Sequence, residues 1–231
     1  MVIFSHDQTA GRGQRGKEWV SSEGLNIALS IIVNPSPLHV AQQFRLSACA
    51  AISIYRFFEK YAGNETKIKW PNDLYWKDRK AGGVLIESIV RSREREVDSQ
   101  ESAETRHALS VPWSWAVVGI GININQTSFP AGLQNPVSLR QITGKHYDTV
   151  EMAKEICSLF NDQFTQLIST GFDEIFATYV AHLYKRNEKV KLKKDNRVFE
   201  TMIKSVSPAG RLIVEHGIEE EFDFGSVEWV L

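Results

Sequence analysis

Between Gly16 and Val33 the first regular element that the sequence pattern offers is a strand and not a helix. That limits what the glycine-rich loop ahead of it can be. The loop, Thr9 to Trp19, reads TAGRGQRGKEW. Gly11, Gly13 and Gly16 spell G-x-G-x-x-G, and Gly11 to Lys17 spell the opening of a Walker A loop. A dinucleotide fingerprint needs its third glycine to open a helix, with an acidic residue about 20 positions further on. Here the strand LNIALSIIV (Leu25–Val33) follows, and Val33 and Asn34 stand near that offset. A Walker A loop needs Ser or Thr after its lysine, then a helix. Glu18 stands there instead. Both familiar phosphate-binding folds are therefore excluded.

The loop's chemistry still suits an anion. Glycines let backbone N–H groups approach a phosphate, and Arg12, Arg15 and Lys17 supply positive charge. On the loop alone a flexible, solvated Gly/Arg turn stays open beside that reading. An RNA-binding Gly/Arg segment is disfavoured, because the net charge of the chain is −1 and no global field draws nucleic acid or an acidic membrane to it.

The rest of the chain alternates strand and helix patterns. VIFSH (Val2–His6) feeds the loop as a strand. A helix is expected from about Leu38 to Ala62, punctuated by Ser36-Pro37, striped by Phe44, Ala48, Ile52, Tyr55 and Phe58, and stopped by Gly63. TKIKW is a short strand broken by Pro71, and AGGVLIESIV and WAVVGIGINI are two further strands. Between those two, residues 91–112 are dense in charge and read as a hairpin insertion. A helix from Thr149 to Ser169 follows, with Asp148 and Glu151 spaced as a capping box, then another from about Phe172 to Tyr184. From Arg186 onward polar and apolar residues alternate between turns at Asp195-Asn196 and Ala209-Gly210, as in a small barrel of about five strands. Cys49 and Cys157 sit in helical apolar patterns and read as buried reduced thiols. Nothing resembles a signal peptide or a membrane span, so the expected setting is cytoplasmic.

Three further stretches carry chemistry. IKWPNDLYW sets Lys69, Asn72 and Asp73 around a proline turn. DRKAGGVLIE sets Lys80 just before two glycines. VVGIGININ places Gly119, Gly121, Asn123 and Asn125 on an apolar strand. Glycine within a strand marks close approach of a ligand or of another backbone, and a buried asparagine needs hydrogen-bond partners. Each stretch alone also fits a turn, a surface lysine or a packed strand. The histidines are scattered without metal-ligand spacing, and no residue is assigned as a metal ligand.

Taken together, QTAGRGQRGKEW, KWPNDLYWKDRKAGGVLIE and VVGIGININ resemble, in order and spacing, the three sequence blocks of biotin protein ligases. The resemblance implies an α+β fold: a mixed β-sheet flanked by helices, of the class II aminoacyl-tRNA synthetase and lipoate ligase kind, followed by an SH3-like barrel. It implies a catalytic domain over 1–184 and the barrel over 185–231. The implied reaction is ATP-dependent: biotin is activated as biotinyl-5′-AMP, with magnesium bridging the phosphates, and passed to a lysine of a biotin carboxyl carrier protein. The expected catalytic residues are Lys80, Arg12 and Asp73. Biotin is expected at Gln8, Arg12, Gly13, Gln14, Lys80 and Gly121. ATP is expected at Arg12, Arg15, Lys17, Trp19, Asn72, Asp73, Lys80 and Asn123. Lys80 is the strongest of these, set to hold biotin's carboxylate and the α-phosphate at once.

The pattern departs from the family's in two places. Gln14 stands where the family loop carries an arginine that helps retain the adenylate. A Ser-Thr-Asn-type segment, which contacts biotin upstream of the loop in the family, has no counterpart after Met1. That sets the expectation that an N-terminal part of the catalytic domain is missing from this sequence. With no helix-turn-helix segment in view, the expected kind is monofunctional, a monomer or homodimer. A lipoate or octanoate ligase on the same fold, and a catalytically impaired nucleotide- or carrier-binding module, are the rival readings.

Overall fold

The computed structural model describes residues 1–90, 113–133 and 135–230. The charged stretch 91–112 read as a hairpin insertion lies outside the described residues. The main sheet is built from β1 (Val2–Ser5), β2 (Ile27–Val33), β3 (Thr66–Lys69), β4 (Asp73–Trp76), β5 (Arg79–Val90) and β6 (Trp113–Ile122). These lie in the order β1-β2-β6-β5-β4-β3, paired antiparallel throughout. The parallel component is confined to isolated bridges such as Ile68 to Leu183 and Lys80 to Pro136.

Strand alternation decides which face is core. On β6 Ala116, Val118, Ile120 and Ile122 are buried, while Gly119 and Gly121 belong to the opposite face. The core face is covered by α1 (Gln43–Ala62), which packs on β3, β4 and β5, and by α3 (Thr149–Ser169), which packs on α1 and β2. Leu46, Ile52, Ile54, Tyr55, Phe57 and Phe58 are all essentially inaccessible. Burial of each such side chain stabilises the fold by about 1.5–3 kcal/mol. Two short helices, α2 (Leu139–Thr143) and α4 (Asp173–Ala181), complete this half.

The remaining strands, β7 (Lys189–Lys194), β8 (Arg197–Val206), β9 (Leu212–Glu215), β10 (Glu219–Phe222) and β11 (Glu228–Val230), form an antiparallel sheet in the order β10-β9-β8-β7-β11. Leu192, Ile203, Leu212, Val214 and Phe222 give this module its own core. It docks on the proline turn after β3. Trp70 Nε1 donates to the Gly210 carbonyl at 2.8 Å, and the Trp70 and Phe224 rings meet edge to face at 5.9 Å. Phe44 fills the space where a Cβ on Gly210 would sit.

Several expectations shift in detail. The first long helix begins at Gln43 rather than Leu38. The chain turns at Ser36–Pro37, where Leu38 N–H donates to the Pro35 carbonyl at 2.9 Å, is extended at His39, and makes a 3-10 turn over Val40–Gln42, in which Gln42 Oε1 accepts from His39 N–H at 3.0 Å. Asp148 caps α3 as expected, accepting from Val150 N at 2.8 Å and Glu151 N at 3.1 Å. Glu151, however, pairs with Lys154 at 2.6 Å. The helix expected to reach Tyr184 ends at Ala181. Cys49 is buried, but Cys157 is only half-buried, and both thiols are free. Among the described residues no helix is long and apolar enough to cross a membrane.

Candidate active site

The sheet's glycine-bearing face carries a row of residues directly opposite one another: Lys69, Asp73, Gly83, Gly121, Ala28 and Ser5. Residues paired in register point to the same face. The middle of this row therefore has almost no side chain. Asp73 leans into it: a Cβ on Gly83 would lie 2.8 Å from Asp73 Oδ1. The indole of Trp19 covers the other side. A Cβ on Gly121 would lie 2.6 Å from Trp19 Cε2. Gly119 is different. Its nearest neighbours are Leu85 atoms at 3.6 and 3.7 Å, ordinary contact, so no close approach demands glycine there.

The glycine loop folds over this trough as a small hairpin. Gly13 N–H donates to the Lys17 carbonyl at 2.7 Å, and Trp19 N–H to the Gly11 carbonyl at 3.0 Å. Arg15, with φ of 55°, and Gly16, with φ of 75°, turn its tip next to Gln14. Gly11 has no room for a side chain, since a Cβ would fall 2.2 Å from the Trp19 carbonyl oxygen and 2.9 Å from Gln8 Oε1. Beneath the loop Gln8 Oε1, an acceptor, and Trp19 Nε1, a donor, are both buried without a hydrogen-bond partner among the described residues. Such groups are uncommon and call for an explanation.

At the β4–β5 end Lys80 Nζ lies 2.7 Å from Asp73 Oδ1, each side chain about one-third exposed. The backbone around Lys80 is fixed on both sides: its N–H donates to the Asn135 carbonyl at 3.0 Å, and its carbonyl accepts from Val137 N–H at 2.9 Å. The proline turn that presents Asp73 is held from below by Tyr179, whose hydroxyl donates to the Pro71 carbonyl at 2.8 Å.

Not every expected residue points into this space. Arg12 reaches along β5 to Glu87, at 3.0 Å, rather than to Lys80. Arg15 lies on the C-terminal module, where a Cβ on Gly225 would be 2.9 Å from its Cζ. Asn72 is buried, and its amide nitrogen donates to the Val84 carbonyl. Asn123 is buried too, donating to the Val137 carbonyl at 3.2 Å. Both amide nitrogens are thus engaged by backbone, tying β5 and β6 to their flanking loops. Sequence reasoning assigned no role to Lys69, which is only 6% exposed and lies at the end of the same row. Its burial lowers its pKa to about 8, against the pull of Asp73 and with the push of Lys80 and Lys17. Lys17, Lys69, Asp73 and Lys80 form one electrostatic cluster.

Known proteins share this fold. Residues 1–97 match the biotin/lipoate A/B protein ligase family. The fold matches that of the biotin protein ligase from Aquifex aeolicus in complex with biotin and ATP, with a TM-score of 0.77 and 24% identity over 98% of this chain and 87% of that one. The chain is similar in sequence to biotin protein ligases and shares their fold. Among curated proteins it is 29% identical to the bifunctional ligase/repressor BirA of Bacillus spizizenii over 218 residues, 93% of this chain. It spans 61% of the length of that relative. To the biotin–[acetyl-CoA-carboxylase] ligase of Paracoccus denitrificans it is 27% identical, over 92% of this chain and 82% of that protein.

Proposed function

We propose that the chain is an ATP-dependent biotin protein ligase. Biotin's carboxylate attacks the α-phosphorus of ATP, pyrophosphate leaves, and biotinyl-5′-AMP forms. The amine of a lysine on a biotin carboxyl carrier domain, of acetyl-CoA carboxylase or a related carboxylase, then attacks the mixed anhydride and AMP leaves. The observation that carries this reading is the trough itself: a strip without side chains, closed at one end by the Lys80–Asp73 pair at 2.7 Å and roofed by a cationic glycine loop. The substrate supplies the nucleophile, so the protein needs only to bring two anions together and stabilise charge at phosphorus.

Lys80 is the amine that would clasp both anions. Arg12 and Lys17 on the loop would add charge once the loop lifts, because the exposed Arg12–Glu87 pair is cheap to break. Gln8 Oε1 and Trp19 Nε1 offer an acceptor and a donor under the loop, which suits the urea of biotin, itself both donor and acceptor. Asp73 beside Lys80 would help deprotonate the carrier's amine, which is otherwise charged near neutral pH. Magnesium, when bound with the triphosphate, offsets charge at phosphorus. Among the described residues no group of three His, Cys, Asp or Glu side chains is placed to hold a metal by itself. The ion would therefore arrive with the nucleotide. A cytoplasmic setting follows from the need for ATP and carrier.

The test is ATP–pyrophosphate exchange with biotin, lipoate or octanoate, followed by addition of carrier protein. Exchange with biotin alone, lost in Lys80→Ala, supports the reading. Exchange with another acid moves the substrate assignment. No exchange with any acid refutes the ligase.

A further inference from the structure

Lys69 has no place in the chemistry above, yet it is a nearly inaccessible lysine in direct register with Asp73. Its Nζ donates to the Tyr75 hydroxyl at 3.1 Å. It lies 4.6 Å from the centroid of the Tyr75 ring and 5.0 Å from that of Trp229 on β11. Aromatic faces attract an ammonium, so this cage holds a cation without giving it a counter-ion. The carboxylate that faces Lys69 is Asp73. The other charges facing it are Lys80 on β5 and Lys17 on the glycine loop. The hydroxyls nearby are those of Tyr75 and of Tyr179 on α4, which also senses Asp73.

Asp73 has Lys80 as its ion-pair partner. An amine that turns to clasp a carboxylate and a phosphate must loosen that pair. A part-buried carboxylate stripped of its counter-charge is strongly disfavoured. We propose that Lys69 is a positioning residue of the adenylate-forming step: it is the reserve counter-charge that holds Asp73 when Lys80 turns to the anions, and Trp229 of the C-terminal module keeps it there. The proposal rests on the reading of Lys80 as the anion-clasping amine. It also gives the C-terminal module a stake in the first half-reaction, because one wall of the lysine's cage belongs to β11. As Lys80 moves away from Asp73, Lys69 loses a repelling neighbour and gains sole hold of the carboxylate. Substrate binding therefore tightens its proton. Lys69 must be charged to serve, so adenylate formation falls as pH rises through its pKa, which burial sets at about 8 in the free protein.

Two measurements test this, one independent of the substrate. With lysine side chains labelled with heavy nitrogen, an NMR titration of the full chain from about pH 6 to about pH 11 follows the Lys69 ammonium, assigned by its absence in Lys69→Arg. In Asp73→Asn its midpoint is expected to drop by on the order of one unit. An unchanged midpoint overturns the pairing whatever acid the protein ligates. The second measurement is biotin-dependent pyrophosphate exchange across the same range. Lys69→Met is expected to lose roughly tenfold to a hundredfold in kcat, with KM for biotin moving less than about threefold. Lys69→Arg is expected to keep most of the rate and to lack the alkaline fall in kcat/KM near pH 8, where the free protein titrates. A Lys69→Met protein at wild-type rate overturns the proposal. No exchange by the unmodified protein overturns the ligase reading instead, and the titration alone then decides the Lys69–Asp73 link.

Discussion

Gly121 and Gly119 sit two positions apart on one face of β6, and the structure assigns them opposite tolerances. A methyl group added at Gly121 would fall 2.6, 2.8 and 2.9 Å from Trp19 Cε2, Cζ2 and Cδ2. Carbon atoms rest at about 3.5–4.0 Å, so the indole must retreat by roughly 1 Å. It is a rigid ring, and Trp19 is also the residue whose N–H closes the loop on Gly11. Overpacking of this kind costs about 1–3 kcal/mol. The loop lies outside the core cluster, so the cost is expected to fall on loop closure rather than on global stability. Gly121→Ala should therefore unfold within a few degrees of the parent while weakening adenylate retention by roughly tenfold to a hundredfold. Gly119→Ala meets only ordinary contact and removes a glycine from a strand, so it should be neutral or stabilise by about 0.5–1 kcal/mol. Thermal melts, hydrogen exchange over the loop and adenylate release, run on both variants, check this. If the two alanines behave alike, the claim that Trp19 rests on a side-chain-free floor is wrong.

Other consequences are as specific. Lys69 has a pKa of about 8 when folded against an ordinary 10.5; between those values the unfolded chain binds the extra proton, so stability should rise with pH in that window. The 2.5-unit difference (10.5 − 8) corresponds to about 3 kcal/mol at most, and urea melts of the parent against Lys69→Met should show a gain that the variant lacks. Asp148→Ala removes the side chain that accepts from two N–H groups at the start of α3, for an expected loss of about 1 kcal/mol in the same melts. Gln14→Arg, at the loop tip, should slow release of the adenylate intermediate; equal release rates would show that the loop's charge at this position does not matter.

How much of this could be read from the residues alone depends on chain length and on the sources of contacts. α3 was legible from end to end, because a capping aspartate opens a long apolar stripe. β4 and α2 were not. β4 has four residues and directly follows a proline turn, where the pattern reads as loop. α2 has five, although Ser138, Gln141 and Gly144 carry a complete set of cap signals. In the candidate site, Asp73 and Lys80 were singled out individually from the sequence. Their pairing was not, since it arises from strand register. Asn123 was expected to be buried and partnered, and it is; Asn72 was expected only at the turn beside the nucleotide, and it is buried as well. Sequence does not say whether a buried amide meets a ligand or a backbone carbonyl, and here the donor of each meets a carbonyl. Lys69 was singled out beside Asn72 and Asp73 but given no role, because a lysine on a short strand ordinarily faces water and its aromatic cover comes partly from Trp229 at the far end of the chain.

The resting arrangement of charge bears on how the site would work. Arg12 is held by Glu87, Lys80 by Asp73, and Arg15 lies against the C-terminal module. With a net charge of −1, the chain cannot gather anions by bulk attraction, and Arg12, Arg15 and Lys80 already lie against other protein groups. Anions clasped by Arg12 and Lys80 would therefore have to displace carboxylates. For Arg12 and Glu87, 75% and 42% exposed, the exchange costs little. For Lys80 it does not, because Asp73 sits in the trough beside Gly83 with protein on most sides. A site built this way discriminates. A single weak anion releases the loop arginine but not the inner lysine, whereas a carboxylate and a phosphate presented together repay the loss of the Lys80–Asp73 contact. If the proposed function holds, the inner pair would act as a threshold that favours simultaneous occupancy, which is what an acyl-adenylate reaction requires.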